Sequence, residues 1–223
     1  EKLNELNVGL DLGFFGERMT LTVDAYKRNS FDLIGAFRTS GIGGEAVKQA
    51  NYADMTSRGI EATLGAKVLK VADFNWSTQL IFSYNKNKIT NLKNQPTIFG
   101  LIGPDGGPLE GYAQRGLFSL DFQGLDPLNG SPKFINEEGK VDGDVYLQSD
   151  EIKYLKYEGA IDPTYTGGFS NTFKYKNFSL SALITFAAGN KVRLSPSFKT
   201  SYTDLDAMPK AFLSRWVMQG DEL

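Results

Sequence analysis

The side chains that most often carry out chemistry in proteins are missing from this sequence. None of its 223 residues is histidine or cysteine. A Ser-His-Asp triad, a histidine or thiolate metal site, a thiol nucleophile and a disulfide scaffold are therefore excluded from the chain. Carboxylates and glycine-rich stretches are the remaining candidates for a site.

Neighbouring carboxylates occur at Asp142 with Asp144 and at Asp150 with Glu151. Glycoside hydrolysis uses such pairs, but its general acid needs an apolar neighbour that raises its pKa. Both pairs lie in a polar stretch, so we interpret them as solvated loop residues. The glycines at 41–44 do not follow a strand and open a helix, as a phosphate cradle requires. No catalytic residue and no enzyme activity are predicted.

Apolar and polar side chains alternate with a period of two over six stretches, and this pattern indicates strands. The predicted strands span 6–14, 19–28, 59–68, 74–85, 165–175 and 178–189. They form three hairpins with reversals of a few residues. Asn171 interrupts the apolar side of the fifth strand, which predicts a bulge or a mixed environment there.

The connections between the hairpins are predicted to be long loops, over 30–55, over 87–162 and beyond 189. Within them we expect a short strand at 112–122, a short helix or strand at 150–157 and a short helix at 210–218.

Strand length and loop asymmetry favour a membrane protein. The arms of the last hairpin have about a dozen residues, whereas globular strands cluster near five or six and a tilted membrane strand needs about 9 to 11. Short turns on one side and long loops on the other are typical of outer-membrane barrels. We therefore predict an all-β fold, a segment of an antiparallel up-and-down transmembrane β-barrel with short periplasmic turns and long extracellular loops. A soluble β-sandwich, as a carbohydrate-binding or adhesin module, makes the same alternation and is the alternative.

In a barrel, one face of each strand meets lipid and the other lines the lumen. The aromatic residues predicted to face lipid are Phe74, Trp76, Phe82, Tyr84, Phe178 and Phe186. The polar residues predicted to face the lumen are Asp11, Asp24, Glu61 and Gln79. The net charge of −2, with 24 scattered basic residues, indicates no nucleic-acid partner.

Several segments contain sequence motifs of a known protein family. Residues 162–191 read DPTYTGGFSNTFKYKNFSLSALITFAAGNK and resemble the late-barrel hairpin of the SusC/RagA family of TonB-dependent outer-membrane transporters. Residues 6–34, 57–89 and 109–132 resemble earlier segments of the same family, through LNVGLDLGFFGERMTLTVDAYKRNSFDLI, SRGIEATLGAKVLKVADFNWSTQLIFSYNKNKI and LEGYAQRGLFSLDFQGLDPLNGSP. The matches occur in family order over most of the chain.

The resemblance implies a function and a location. Members import glycans or peptides across the outer membrane of Gram-negative bacteria, together with a SusD-like surface lipoprotein, and TonB supplies energy by moving a plug. Their barrels have about 22 strands. We therefore expect residues 1–223 to be a partial barrel domain, without the plug domain, the remaining strands or the segment that recruits TonB, and in contact with outer-membrane lipid.

The resemblance also bears on ligand sites. Many relatives carry an aspartate-rich run before the P-x-Y-x-GGF segment, but residues 136–144 lack the D-x-D-x-D-G spacing of a calcium loop. No metal and no cofactor are predicted. Aromatic and polar groups of the long loops are the expected contacts for substrate or partner, and the candidates are Tyr112, Arg115, Phe118 and Tyr146.

Overall fold

A computed structural model of the chain describes residues 1–39, 41–42, 44, 46–94, 96–145, 147, 152–195, 198–199 and 201–221. Four long strands come first: β1 (Lys2–Phe14), β2 (Met19–Arg38), β3 (Val47–Val71) and β4 (Phe74–Leu92). The connection that follows contains helix α1 (Ile98–Ile102) and the short strands β5 (Gly116–Ser119), β6 (Phe122–Leu125), β7 (Pro132–Ile135), β8 (Val141–Asp142) and β9 (Lys156–Ala160). The last hairpin is β10 (Tyr165–Tyr175) with β11 (Phe178–Ala188), and a single 3-10 turn spans Lys210–Ser214.

The six long strands form one antiparallel sheet in the order β1-β2-β3-β4-β10-β11. This order confirms the predicted up-and-down arrangement of three hairpins. Strand β10 pairs with β4 without interruption from Tyr165 opposite Tyr84 to Tyr175 opposite Phe74. The connection of residues 93–164 therefore leaves the sheet at the end of β4 and returns to it at β10, the strand that pairs with β4.

The prediction of a loop over residues 30–55 is wrong. Strand β2 continues to Arg38 and β3 begins at Val47, so the connection covers only residues 39–46. The β2–β3 ladder has register shifts between Ser30 and Leu33 and again before Ile34, and Asp32 has a φ of 57°. Bulges of this kind insert unpaired residues and break the period of two, although the backbone ladder continues. The same applies to the upper part of β4, which was predicted to end near 85.

The smaller predicted elements are partly correct. A strand lies within 112–122, but it is limited to β5 at Gly116–Ser119. Strand β9 begins at Lys156, and residues 150–151 of the predicted element lie outside the described residues. The helix predicted over 210–218 is a single 3-10 turn that ends at Ser214. Beyond it, the Trp216 ring lies against Gly130 of the long connection.

Asn171 has a mixed environment and no bulge. The registers of β10 with β4 and with β11 are continuous through this position. The Nε1 of Trp76 donates a hydrogen bond of 3.0 Å to Oδ1 of Asn171, and the Trp76 ring stacks on Phe173 with centroids 5.6 Å apart. The amide therefore satisfies an indole N–H on a face that is otherwise apolar.

We expect Asn171→Leu to lower the free energy of unfolding by about 1–3 kcal/mol, because it leaves the Trp76 N–H without an acceptor on an apolar face. Trp76→Phe removes the donor, and the Trp76→Phe/Asn171→Leu double variant should recover part of the loss. Urea unfolding of the four proteins in lipid vesicles measures the coupling in a double-mutant cycle. Strictly additive effects would show that the hydrogen bond contributes nothing.

The compact core of the described residues lies in the long connection and not in the sheet. Ile98, Leu101, Phe118 and Leu155 form a buried cluster there. Large apolar side chains on the long strands are exposed, among them Phe178 at 79% and Leu180 at 66%. No second sheet covers them in the part of the chain that the structure describes, which contradicts the alternative of a β-sandwich. Of the helices within that part, none has the length and apolar character needed to cross a membrane.

Candidate functional site

The long connection extends the sheet beyond the end of β10. Where β10 begins beside Tyr84, residues 111–114 continue along the upper part of β4. The amide of Ile89 donates to the carbonyl of Tyr112 at 2.8 Å, and the amide of Gly111 donates to the carbonyl of Ile89 at 2.9 Å. The amide of Gln114 donates to Oδ1 of Asn87 at 2.9 Å. These backbone bonds hold the connection at a defined place on the rim of the sheet.

Three aromatic rings meet directly after this anchor. The Tyr112 ring lies 5.3 Å from that of Phe118 and 4.7 Å from that of Tyr157, and the Phe118 and Tyr157 rings are 5.2 Å apart. Strand β5 carries Phe118 and pairs with β9, which carries Tyr157, so the ladder places both rings on one face. Tyr112 and Tyr157 remain partly exposed and present an aromatic surface to solvent.

The placement of Phe118 corrects its predicted role. Its side chain is only 1% exposed, because it packs into the buried cluster with Ile98, Leu101 and Leu155. A direct contact of this ring with a ligand is inconsistent with that burial. Phe118 holds the connection together, and Tyr112 at 39% exposure has the accessible ring of the two.

Arg115 joins the connection to the chain that enters β10. Its Nη1 lies 2.8 Å from Oδ1 of Asp162, and its carbonyl accepts from the amide of Ile161 at 3.0 Å. Both side chains are about half exposed, so the ion pair contributes at most about 1 kcal/mol. Ligand contact by Tyr112 and Arg115 stays a prediction, and Tyr146 lies outside the described residues.

Sequence reasoning missed Tyr157 as a member of this cluster. It lies in a stretch with no clear periodicity, and only the β5–β9 pairing brings it to Tyr112. Burial raises the pKa of the Tyr157 hydroxyl, and a hydrogen bond with the backbone of Ala113 partly offsets this effect. The hydroxyl therefore stays protonated at neutral pH.

The acidic run at 136–144 forms a tight hairpin between β7 and β8. Oδ1 of Asn136 accepts from the amides of Glu138 at 3.1 Å and Lys140 at 2.9 Å, so the turn itself uses this oxygen. Oδ1 of Asp142 accepts from the amide of Asp144 at 3.3 Å. Among the described residues, no group of three or more acidic side chains has the geometry to hold a metal ion.

A second turn, at Asp126, is closed by one carboxylate. Oδ1 of Asp126 accepts from the amide of Leu128 at 2.8 Å, and Oδ2 lies 2.8 Å from Nζ of Lys133. The Lys133 ammonium first, and the Leu128 amide second, hold the pKa of Asp126 below its usual value. A carboxyl whose pKa is lowered on folding stabilises the folded turn above the pKa of the unfolded group and loses that effect as the pH falls through its folded pKa.

Acidification below the ordinary Asp pKa of about 4 is therefore expected to open this turn. Hydrogen exchange, corrected for intrinsic rates, should show the Leu128 amide losing protection as the pH falls from about 5 to 2. The amide of Ser131 is the internal control, because it donates to the Asn129 side chain at 2.8 Å and that amide does not titrate. Equal pH dependence at both amides, or pH-dependent exchange at Leu128 in Asp126→Asn, would contradict the assignment.

The register places the two predicted sets of wall residues on opposite faces of the long sheet. The polar set, Asp11, Asp24, Glu61 and Gln79, shares one face, on which Thr22 Oγ1 donates to Oδ1 of Asp11 at 2.6 Å. The aromatic set, Phe74, Trp76, Phe82, Tyr84, Phe178 and Phe186, shares the other. That the first face meets a lumen and the second meets lipid stays a prediction.

A cleft of about 770 Å³ lies where the upper sheet meets the connection. The sheet contributes Lys27, Arg58, Lys86 and Lys88, and the connection contributes Tyr112, Tyr157 and Asp162. The four cations lie on the strand positions that continue the aromatic face. The lining thus has four cations and one carboxylate, that of Asp162.

No protein family model matches the chain, but individual proteins do. It is 25% identical over 264 residues to the TonB-dependent receptor P39 of Formosa agariphila, which covers 99% of this chain and 25% of the relative. It is 27% identical over 210 residues to the TonB-dependent receptor SusC of Bacteroides thetaiotaomicron, which covers 86% of this chain and 20% of SusC. The chain thus spans about a quarter of these relatives or less.

Solved structures give the same fold. A chain in the structure of the RagAB peptide transporter superposes with a TM-score of 0.67 at 21% identity, over 84% of this chain and 21% of that one. The predicted fold class, a segment of an antiparallel barrel, is confirmed by this neighbour. In sequence the chain is similar to TonB-dependent receptors including SusC, and in fold to the RagAB transporter, which confirms the resemblance to the SusC/RagA family that its motifs predicted.

Proposed function

We propose that this chain forms part of the barrel wall and one large extracellular loop of a TonB-dependent outer-membrane importer. The observation that carries the proposal is the uncovered apolar and aromatic face of the six-stranded sheet. A face of this kind is stable only against lipid or another apolar surface. The turns at 15–18, 72–73 and 176–177 lie at one end of the sheet and would be periplasmic, and the folded connection lies at the other.

The proposal includes the missing partners. Within the described residues, the outer edges of β1 and β11 pair with no other strand. A bilayer does not tolerate an open sheet edge, so further strands of the same barrel would close both sides. A plug would fill the lumen against the face with Asp24 and Glu61, and a SusD-like lipoprotein would cover the extracellular loops.

The substrate proposed is an oligosaccharide or a peptide. The RagAB transporter is described as a peptide transporter, and the sequence resemblance to the SusC/RagA family implies glycans or peptides. The exposed rings of Tyr112 and Tyr157 suit stacking on either a sugar ring or a peptide side chain. The relatives are receptors and transporters and not enzymes, in agreement with a chain that has no histidine or cysteine.

Fractionation of the native host tests the proposal. The protein is expected in the outer membrane, extracted only with detergent, with a heat-modifiable mobility and an intact mass several times the 24.6 kDa of this chain. Uptake of a labelled oligosaccharide or peptide should stop when TonB is deleted and should need the co-purified lipoprotein. A compact monomer of 24.6 kDa that is soluble without detergent would overturn the proposal.

A further inference from the structure

Three basic side chains lie side by side across neighbouring strands on the aromatic face. Lys27 is the direct partner of Arg58 in the β2–β3 ladder, and Arg58 is the direct partner of Lys86 in the β3–β4 ladder. Lys88 follows on the same face of β4, and all four side chains are exposed. Directly opposed residues have Cβ atoms about 5 Å apart, so this basic row concentrates positive charge in a small area.

The charge of the basic row is not balanced within the described residues. Like charges directly opposite each other destabilise a sheet. None of the four cations forms a salt bridge with a described residue, and Asp162, the acid that lines the same cleft, is paired with Arg115 at 2.8 Å. On the opposite face the comparable cation Arg28 pairs with Glu5 at 3.1 Å. An external anion would relieve the repulsion in the basic row.

The position of the basic row on the wall indicates which anion. From Phe74 to Tyr84, strand β4 covers about 33 Å along its length, which at a tilt of about 40° is about 25 Å, the height of the apolar band of an outer-membrane barrel. The Tyr84 and Tyr165 rings, 5.4 Å apart, end that band on the side away from the short turns. Arg58 and Lys86 lie one step beyond them, at the level of lipid head groups.

Apolar surface continues beside the cations. Leu6, the partner of Lys27 in β1, is 68% exposed on the same face. A ligand that covers both the apolar face and the basic row needs acyl chains for the first and negative charge for the second. A small soluble anion would leave the apolar part uncovered.

We propose that the basic row, Lys27, Arg58 and Lys86 with Lys88 beside them, binds the phosphate groups of the glycolipid in the outer leaflet of the outer membrane. The glycolipid's acyl chains lie along the aromatic face, and its phosphates enter the cleft at the base of the connection. The inference rests on the proposed placement of the chain in an outer-membrane barrel. It assigns a lipid site to this wall, at a cleft that Tyr112 and Tyr157 also line.

The test uses the full-length protein extracted from outer membranes in detergent. A variant with Lys27→Gln, Arg58→Gln and Lys86→Gln is compared with a control that loses three cations near the turns, Lys67→Gln, Lys70→Gln and Lys174→Gln. Both are titrated with purified bis-phosphorylated glycolipid. Each cation near a charged lipid surface raises the affinity roughly fivefold, so the first variant should bind the glycolipid about a hundredfold more weakly than the wild type. The control should bind it as the wild type does.

Three further readouts separate the explanations. The dephosphorylated glycolipid should bind the wild type no better than the phosphorylated form binds the triple variant, and inorganic pyrophosphate at equal concentration should not displace the glycolipid. Equal binding of both glycolipids, equal loss in both variants, or displacement by pyrophosphate would overturn the lipid site. Heat-modifiable mobility should be unchanged in both variants, which shows that each has folded.

Failure of the proposed function has a different signature. If the wild-type protein is absent from the outer membrane, the placement is wrong and the lipid site falls with it. If the protein is a membrane-inserted importer whose glycolipid binding ignores the basic row, only the lipid site is overturned.

Discussion

Replacement of Gly167 by alanine is expected to lower the free energy of unfolding by about 3 kcal/mol, the upper end of the usual cost of overpacking. A Cβ at this position would lie 2.5 Å from the carbonyl oxygen of Ile81 and 2.5 Å from Cε1 of Phe186. The Phe186 ring lies across the glycine from the paired strand β11. The carbonyl belongs to the β4 ladder and has no rotamer by which to move away, so the strands themselves must shift.

Gly168 is the matched control, one residue along the same strand. A Cβ there would meet Leu183 Cδ1 at 3.6 Å and the carbonyl oxygen of Ile184 at 3.7 Å, which are ordinary van der Waals contacts. Neither glycine has a positive φ, so the backbone accepts alanine at both positions. Gly168→Ala should be neutral or should stabilise by up to about 1 kcal/mol through the lower entropy of the unfolded chain.

Urea unfolding of the protein in lipid vesicles, with heat-modifiable mobility as a check of assembly, measures the pair. Equal effects of the two substitutions would show that the close approach of Phe186 and Ile81 does not limit the site. A larger effect at Gly168 would show that the close contact lies on the Gly168 face of β10 and not on the Gly167 face, which contradicts the prediction.

Phe118→Ala is expected to destabilise the folded connection by about 3–5 kcal/mol and to abolish import. The ring is buried in the cluster with Ile98 and Leu101 and also contacts Tyr112 and Tyr157. Its removal leaves a cavity in this small core. Because the six long strands make no use of this ring, the barrel should keep its assembly and its heat-modifiable mobility.

Limited proteolysis separates the two parts of the molecule. Cleavage within 96–162 should become fast in Phe118→Ala while the long strands remain protected. Unchanged proteolysis would show that the buried cluster does not hold the connection together. Loss of the whole barrel would show that the connection and the wall fold as one unit.

Tyr112→Ala is the companion variant, because its ring belongs to the same aromatic cluster but is partly exposed. We expect its cost in stability to be about 1 kcal/mol, with proteolysis close to that of the wild type. If Tyr112 contacts the substrate, as predicted, its affinity for substrate should fall at least tenfold. Unchanged affinity would remove Tyr112 from the list of substrate contacts.

The regular part of the long strands could be predicted from the sequence. Each strand has a different environment on its two sides, and this imposes a period of two on the side chains. The hairpin of β10 and β11 was predicted within one residue of its observed bounds, including the two-residue turn at Lys176 and Asn177. The starts of β2 and β4 were predicted as well. In each case one face is predominantly apolar and a turn adjoins the strand, so local residues carry the whole signal.

Tertiary structure alone decided the upper third of the wall and the candidate site. Strands β2 and β3 continue through bulges around Asp32, where register shifts break the alternation and backbone pairing with a distant strand replaces the missing pattern. The same kind of long-range pairing buries Phe118, joins Tyr157 to Tyr112 and aligns Lys27, Arg58 and Lys86 across three strands. The sequence by itself determined the regularly alternating part of each long strand and the faces of its residues. Which residues become neighbours depends on register between strands that are tens of residues apart, and no local periodicity contains that information.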